Sequence, residues 1–207
     1  MTTRATTDRR QAAVPVSPEE LFEGLDEETK AELIDGELVY HMPASAVHNR
    51  ILGLVQTVMI AVATRQGAGE VFVDMLEMRL GRQRYVPDAS FVATAHLDRV
   101  LPTRLEGPAD LVVEVLSPES VTRDRGVKMR DYAAAGVQEY WLIDPDAQQV
   151  QVYAHQAGGT FQPLPPDASG TNGSQVLPGF ALREEWLWPA TGHPPDVLAA
   201  LRAHGLA

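Results

Sequence analysis

The stretch ADLVVEVLSPES, residues 109–120, carries a carboxylate into the most apolar segment of the chain. Glu114 lies between the apolar residues 111–113 and 115–116, and Ser117-Pro118 follows as a turn signal. A short, continuous apolar run predicts a strand that is buried on both faces, inside a sheet covered by helices. A carboxylate there is costly unless it is paired, hydrogen-bonded or bound to a cation. Glu114 therefore indicates either a strand-end or arginine-paired residue, or the centre of a functional site.

The composition is that of an ordinary globular protein with an excess of acidic residues. The chain has 207 residues, of which 44% are hydrophobic and 22% charged, and its net charge is −11. This charge argues against a protein that grips nucleic acid through a broad basic face, although it leaves room for a local basic patch. Since there is no cysteine, disulfides, thiolate zinc sites and cysteine nucleophiles are excluded. The absence of cysteine fits a reducing cytoplasm, which we predict as the location.

The two ends of the chain read differently from its middle. Residues 1–16 are polar and lack the apolar core of a secretory signal, so we expect a disordered lead-in. Residues 189–207 read as a tail that is helical in part. No run of 18 or more apolar residues occurs, so no membrane partner is predicted.

Between these ends the pattern is a mixed α/β domain without an internal linker. Ser17-Pro18-Glu19-Glu20 is typical of a helix start. Further elements are predicted as follows: a hairpin at 31–40 around Asp35-Gly36, a helix at 44–66, strands at 70–80 and 85–92, a helix at 122–135 ended by Gly136, a hairpin at 139–144 and 148–155, a loop at 158–174, and a short strand at 176–182.

A second acid supports the functional interpretation of Glu114. Asp88 lies in YVPDASFV, residues 85–92, also among apolar neighbours. Two acids on adjacent strands approach closely only if a metal ion or a proton stands between them, because like charges repel. Carboxylate oxygens suit Mg²⁺, which takes one or two carboxylates together with water and substrate phosphate.

Two further residues are candidates on weaker patterns. Glu37 follows the Asp35-Gly36 turn, which can aim it inward, although a solvated hairpin residue is an equal alternative. Lys128 lies in the helix after the Glu114 strand, beside Arg123, Arg125 and Arg130, the densest basic cluster of the chain. Its alternative is an ordinary solvated helix lysine. A lysine near a metal could stabilise developing charge and help to activate water.

Five stretches of the chain, in this order, resemble the Uma2 family of endonucleases: ELIDGELV, VPDASFV, ADLVVEVLSPES, DRGVKMRDYAAAGVQEYWLIDP and LPGFAL. This family was formerly a domain of unknown function and belongs to the PD-(D/E)XK nuclease superfamily. The resemblance covers residues 17–188. It implies a single restriction-endonuclease-like domain, in which helices flank a mixed β-sheet, and it implies Mg²⁺-dependent hydrolysis of phosphodiester bonds, with DNA as substrate and Mn²⁺ as an alternative ion.

The resemblance also implies roles for single residues. Pro87-Asp88 matches the PD element, and Glu114 matches the acid of the (D/E)XK element. Leu116 stands where that element has its lysine, and Lys128 matches a lysine that has migrated to the following helix. Glu37 resembles an additional acid. Asp88, Glu114 and Glu37 would thus hold the metal, and Lys128 would complete the catalytic set.

Several alternatives remain open at the level of sequence. A catalytically inactive member could keep the fold as a binding or assembly module, an idea that the acidic charge favours. A metal-dependent hydrolase of small phosphorylated substrates is a third reading. His48, near the start of the long helix, reads as a solvated residue rather than a phosphate contact. The apolar region with Trp186 and Trp188 could cover a homodimer interface, which we predict, or could pack on its own domain.

Overall fold

The computed structural model describes residues 16–26, 29–73, 76–192 and 194–206. Of the predicted lead-in, all but Val16 lies outside the described residues. In chain order the elements begin with α1 (Pro18–Glu23), β1 (Ala31–Ile34), β2 (Glu37–Tyr40), α2 (Ala46–Gln66), β3 (Gly69–Val73), β4 (Glu77–Leu80), β5 (Gln83–Tyr85), β6 (Ala89–Ala93), a 3₁₀ helix (Thr94–Arg99), β7 (Arg104–Glu106) and β8 (Leu111–Val115). They continue with α3 (Val121–Arg123), a π-helical turn (Asp124–Lys128), α4 (Met129–Ala135), β9 (Glu139–Asp144), β10 (Gln149–Gln156), β11 (Thr160–Leu164), β12 (Thr171–Gly173), β13 (Ala181–Arg183), α5 (Glu184–Leu187) and α6 (Val197–Ala203).

Strand β8 lies inside a six-stranded sheet of order β11-β10-β9-β8-β6-β3, and all of its residues are buried. It pairs parallel with β9 and antiparallel with β6. Because side chains alternate along a strand, Val113 and Val115 pack with α2, whereas Val112 and Glu114 face the opposite side. The predicted α/β architecture, with a central strand covered on both faces, is confirmed.

A second sheet, of order β2-β1-β5-β4-β7, adjoins the face that Glu114 points to. Its hairpin β1–β2 turns at Asp35-Gly36, as predicted. The predicted strand at 70–80 is wrong in one respect, because it is two strands. β3 pairs with β6 in the six-stranded sheet, while β4 pairs with β5 in the second sheet, so the chain crosses between sheets at this point.

The connection from β8 to β9 is helical throughout residues 121–135, close to the predicted helix at 122–135. A parallel pair of strands requires such a crossover. The segment contains the π-helical turn Asp124–Lys128, and it ends at Gly136, whose φ of 93° is left-handed.

Helix α2 covers the other face of the six-stranded sheet. It begins after Ser45, whose Oγ accepts the His48 N–H at 3.1 Å, and ends at Gly67 with φ 59°. By length and composition α2 could cross a membrane, with a mean hydropathy of 1.4 over 18 residues. Its apolar character has a simpler cause, since eight of its residues between Ile51 and Ala63 are buried in the core between this helix and the sheet.

The C-terminal part departs most from the predictions. The predicted loop at 158–174 contains β11, which pairs with β10, and β12, which pairs with β13. The predicted strand at 176–182 is found only from Ala181 onward. Trp186 is 7% exposed and packs in the core beside the His204 ring, at 5.7 Å. For Trp186, therefore, packing on its own domain is the observed arrangement.

Candidate active site

Asp88 and Glu114 open into one cavity of about 980 Å³. Glu114 comes from the middle of β8 and Asp88 from the residue directly before β6, so the pairing of these two strands brings the acids to the same region. Both are nearly enclosed, with 3% and 8% of their surfaces exposed. The structure thus places together the two acids that the sequence singled out.

Lys128 lies at the floor of this cavity and is 1% exposed, so it is not a solvated helix lysine. Its Nζ is 2.9 Å from Glu114 Oε1, 2.9 Å from Glu32 Oε1 and 3.3 Å from Asp124 Oδ1. Asp124 and Lys128 begin and end the π-helical turn. One buried ammonium group is therefore shared by carboxylates from β1, β8 and the crossover helix. We call Glu32, Glu114, Asp124 and Lys128 the lysine cluster.

The structure does not bring Glu37 into this cluster. Glu37 is exposed at the start of β2, opposite Ile34, whereas Glu32 of β1 is fully buried. The hairpin therefore supplies an acid, but from the strand before the turn. The signal was present in the sequence: Glu32 is flanked by Ala31 and Leu33, the same pattern of an acid within an apolar strand that drew attention to Glu114.

His48 was predicted to be solvated, and this is wrong. Its side chain is 12% exposed, and its Nε2 lies 3.1 Å from Asp88 Oδ2. The same oxygen accepts the Val115 N–H at 2.8 Å, and Lys30 Nζ lies 3.9 Å from Asp88 Oδ1. The first turn of α2 thus helps to fix the carboxylate of Asp88, a role that no sequence motif indicated.

Tyrosines hold the lysine cluster from the side of the crossover helix. The Tyr132 hydroxyl donates to Glu114 Oε1 at 3.0 Å, and the Tyr140 hydroxyl donates to the Asp124 carbonyl oxygen at 3.1 Å. The rings of Tyr85 and Tyr132 meet edge to face at 5.0 Å. Leu116, at the position where the family pattern has a lysine, is 4% exposed and packs in the same apolar core. The cluster is therefore rigidly supported.

The pKa values of the buried carboxyl groups shift in opposite directions. Burial, with added repulsion from Asp124, Asp88 and Glu32, raises the pKa of Glu114 to about 8, against the attraction of Lys128. Burial also penalises charge on Glu32, but the Lys128 ammonium, His41 and the Val86 N–H lower its pKa to about 2. Burial would lower the pKa of Lys128, but the three carboxylates hold it well above its usual value. Lys128 thus stays charged, but its attraction is too weak to bring the pKa of Glu114 back to the ordinary value.

The pKa of Asp88 is lowered instead. Burial opposes its charged form, but the hydrogen bond from His48 and the Val115 N–H together bring its pKa below the usual value. A charged acid beside a carboxyl group with a raised pKa is the distribution expected where a cation would compensate the excess negative charge.

The donor set fits a hard divalent cation. Asp88 and Glu114 offer carboxylate oxygens to a shared cavity, which is what Mg²⁺ prefers. Among the described residues, no group of three or more His, Asp or Glu side chains is already arranged to hold a metal. A pair of protein carboxylates, completed by water and substrate oxygens, is a usual arrangement for Mg²⁺.

Only one arginine of the predicted basic cluster lines the cavity. Arg123 does so, and its Nη1 donates to the Glu119 carbonyl oxygen at 3.1 Å. Arg125 instead pairs with Asp144, and Arg130 pairs with Asp131. The cluster is therefore divided between the site and the outer surface of the crossover helix.

Comparison with known proteins agrees with this fold. The Uma2 family model, described as "Putative restriction endonuclease", matches residues 18–185. A crystal structure from Anabaena variabilis ATCC 29413, described as a "putative nuclease belonging to DUF820", superposes with a TM-score of 0.68 at 23% identity. The match covers 84% of this chain and 97% of that one, and at this identity it shows a shared fold. None of the curated proteins compared with the chain matches it significantly.

Proposed function

Because the chain belongs to the Uma2 family, we propose that it is a Mg²⁺-dependent endonuclease that hydrolyses phosphodiester bonds of DNA. The observation that carries this proposal is the convergence of Asp88 and Glu114 on one cavity that also contains Lys128. The family description supports a nuclease-like function. The metal dependence, the substrate and the role of the lysine are our inferences from the chemistry of the site.

In this proposal Asp88 and Glu114 would hold the ion, which when bound would polarise a phosphoryl oxygen and lower the pKa of a water molecule. His48 and the Val115 N–H orient the carboxylate of Asp88 through its Oδ2 atom. Tyr132 and Lys128 orient the carboxylate of Glu114 through its Oε1 atom. The residues of the chain thus fix both acids before substrate arrives, which lowers the cost of reorganisation during reaction.

Lys128 takes the role of the lysine that Leu116 replaces. Its ammonium group reaches the Glu114 carboxylate from the crossover helix rather than from β8 itself. A cation fixed at this point would stabilise negative charge that develops on the phosphoryl group. Glu32 and Asp124 keep Lys128 charged and hold it in place. Glu32, rather than Glu37, is the acid that β1 and its hairpin supply to this arrangement.

A cleavage assay tests the proposal. The full chain is incubated with supercoiled plasmid DNA and with single-stranded and double-stranded oligonucleotides, in Mg²⁺, in Mn²⁺ and in EDTA. We expect cleavage only with metal, and its loss in Asp88→Asn and Glu114→Gln. Asp98→Asn and Glu37→Gln, two substitutions at exposed acids, serve as matched controls and should retain it. Cleavage that persists in EDTA or in both site variants would sink the proposal.

One observation favours a second function, that of an inactive fold used for binding. Lys128 already contacts three carboxylates, an arrangement that can serve as a structural ion cluster without catalysis. The net charge of −11 adds to this argument. Such a protein would bind no divalent ion at Asp88 and Glu114, and a calorimetric titration therefore separates the two functions.

We further propose that the protein acts as a homodimer in a reducing cytoplasm. The described residues contain no cysteine, which agrees with a reducing compartment. Apolar side chains remain exposed on α1, α2 and α6, at Leu21, Ile60 and Leu198, and can contribute to contacts between copies. Light scattering is the measurement: a dimer doubles the 22.6 kDa mass of the chain, and a monomeric mass contradicts it.

A further inference from the structure

The rim of the cavity bears large side chains that the proposed chemistry does not use. Tyr40, the last residue of β2, is 57% exposed, and Met42 is 76% exposed; both line the cavity. Between them His41 points inward, with its Nε2 3.2 Å from Glu32 Oε2. Tyr40 thus lies on the exposed wall of the cavity into which the carboxylates of the site open.

The acids that would act on a phosphodiester lie deep. Asp88 and Glu114 are at most 8% exposed, so the scissile phosphate must enter the cavity to reach them. The cavity volume of about 980 Å³ is at the upper end of ordinary small-molecule pockets. A base-paired duplex keeps its bases stacked inside and its two strands together, whereas a strand with unpaired nucleotides can turn one nucleotide into such a cavity.

The charge of the cavity also favours a strand with unpaired nucleotides over a duplex. The described residues that line the cavity include five Asp or Glu against three Lys or Arg. A duplex brings about twice the phosphate charge per length that a single strand does, and tight binding to it relies on neutralising phosphates with Lys and Arg. Binding here must therefore draw more on contacts with bases than on phosphate contacts.

The cavity adjoins a second one, of about 450 Å³, where the rest of a strand could lie. Val47, Gln148 and Trp188 line both cavities. The second contains the exposed Arg50, from the same helical turn of α2 as Val47. The first cavity is thus lined by two aromatic residues, Tyr40 and Trp188, and the second adds the cation of Arg50.

From these observations we propose that the substrate is DNA with unpaired nucleotides, one base of which stacks on Tyr40 while a phosphate further along the strand contacts Arg50. The inference rests on the proposed nuclease function and specifies its substrate class. Stacking on an aromatic ring tolerates any base, so the preference is for an unpaired strand rather than for a particular sequence. Tyr40 and Arg50 would bind the strand and would take no part in the chemistry at the scissile phosphate.

Fluorescence anisotropy with the full chain tests this, with Ca²⁺ in place of Mg²⁺ so that the strand stays intact. The probes are a labelled single-stranded oligonucleotide, the same sequence as a duplex, and a strand of equal length with abasic sites at its centre. We expect the intact single strand to bind most tightly. Tyr40→Ala should weaken that binding by about five- to a hundredfold, and Tyr40→Phe should restore it, because the ring alone is required.

Arg50→Gln should act differently from Tyr40→Ala. It should weaken the intact and abasic strands equally and should lower the slope of log K against log salt by about 0.7. Tyr40→Ala should leave binding of the abasic strand unchanged. Arg82→Gln, at an exposed arginine that lines neither cavity, is the control and should change neither.

The outcomes separate this inference from the nuclease proposal. Equal affinity for duplex and single strand, or unchanged single-strand affinity in Tyr40→Ala, overturns the inference while metal-dependent cleavage can still be observed. Base-dependent binding without cleavage supports the inference and overturns the catalytic proposal. Binding to none of the probes overturns the inference, and an accompanying lack of cleavage overturns both.

Discussion

The Nζ atom of Lys128 lies 2.9 Å from Glu114 Oε1, although 14 residues separate the two along the chain. They come from different elements, a central strand and the π-helical turn of the crossover that follows it. The face of β8 that carries Glu114 is also the face that this helix covers. A lysine on the helix can therefore reach the acid without a place on the strand itself.

Removal of this lysine should cost stability. In Lys128→Met, three buried carboxylates lose their shared cation, and breaking a buried pair by removing one partner typically costs about 3–5 kcal/mol. We expect that loss in the free energy of unfolding by urea at pH 8. The comparison is Arg104→Gln, which removes an exposed ion pair with Glu106 and should leave the free energy of unfolding nearly unchanged. Equal losses in the two variants would contradict the role given to Lys128.

Glu114→Gln should be more stable than the natural chain at high pH in EDTA. The folded-state pKa of about 8 lies above the ordinary value of 4.5, so folding favours the neutral carboxyl group. That contribution is complete below pH 4.5 and is lost as the pH rises through 8. Glutamine stays neutral throughout. The melting temperature of Glu114→Gln, relative to that of the natural chain, should therefore rise by several degrees between pH 5 and pH 9.

The control for this pH series is Glu37→Gln. Glu37 is exposed, and the same change there should leave the melting curves of variant and natural chain parallel. If the difference in melting temperature between Glu114→Gln and the natural chain stayed constant across the series, the raised pKa of Glu114 would be contradicted.

Glu32→Gln should show the opposite dependence on pH. The pKa of Glu32 falls from 4.5 to about 2 in the folded chain, so its charged form stabilises the fold above pH 4.5. This contribution, on the order of 2–3 kcal/mol, is lost as the pH falls towards 2. The variant should be less stable than the natural chain at pH 7, and the two should converge in acid. Urea denaturation at pH 7, 4 and 3 measures it, and a constant difference would count against the ion pair with Lys128.

Metal binding should require Asp88 and Glu114 together. Calorimetric titration with Mn²⁺ should give one site in the natural chain and none in Asp88→Asn or Glu114→Gln. Since Glu114 must lose its proton to act as a ligand, affinity should rise between pH 6 and pH 8, by up to about tenfold per unit. Glu37→Gln should bind as the natural chain does. No heat of binding in the natural chain would favour the inactive, binding-only alternative.

Pattern within single elements was enough to predict much of this molecule. The apolar run around Glu114 predicted a central buried strand, and Gly136 was correctly placed at the end of the crossover helix. Period and turn signals are local properties, so a sequence displays them directly. The strands β11 and β12 were missed because they lie in a stretch rich in Gly and Pro and are stabilised by pairing with β10 and β13, which local pattern does not reveal.

The composition of the site was harder to predict, for the same reason. Asp88, Glu114 and Lys128 line one cavity, and the hairpin acid that contacts Lys128 is Glu32, one strand earlier than Glu37. Which of two acids around a tight turn faces inward depends on the pairing of β1 with β5, a contact between residues about 50 positions apart. His48 was missed because its partner, Asp88, lies 40 residues away on another element.

The wide spacing of the site along the chain also bears on synthesis. Glu32, Asp88, Glu114 and Lys128 lie on separate elements, and parallel pairing of β8 with β9 needs the residues up to about 143. Contacts of such long range form late, because the entropy of closing long loops must be overcome first. A nascent chain on the ribosome, or a proteolytic fragment, would hold the reactive groups without the cavity that unites them. If the chain has the proposed nuclease activity, that activity would thus begin only when folding is complete.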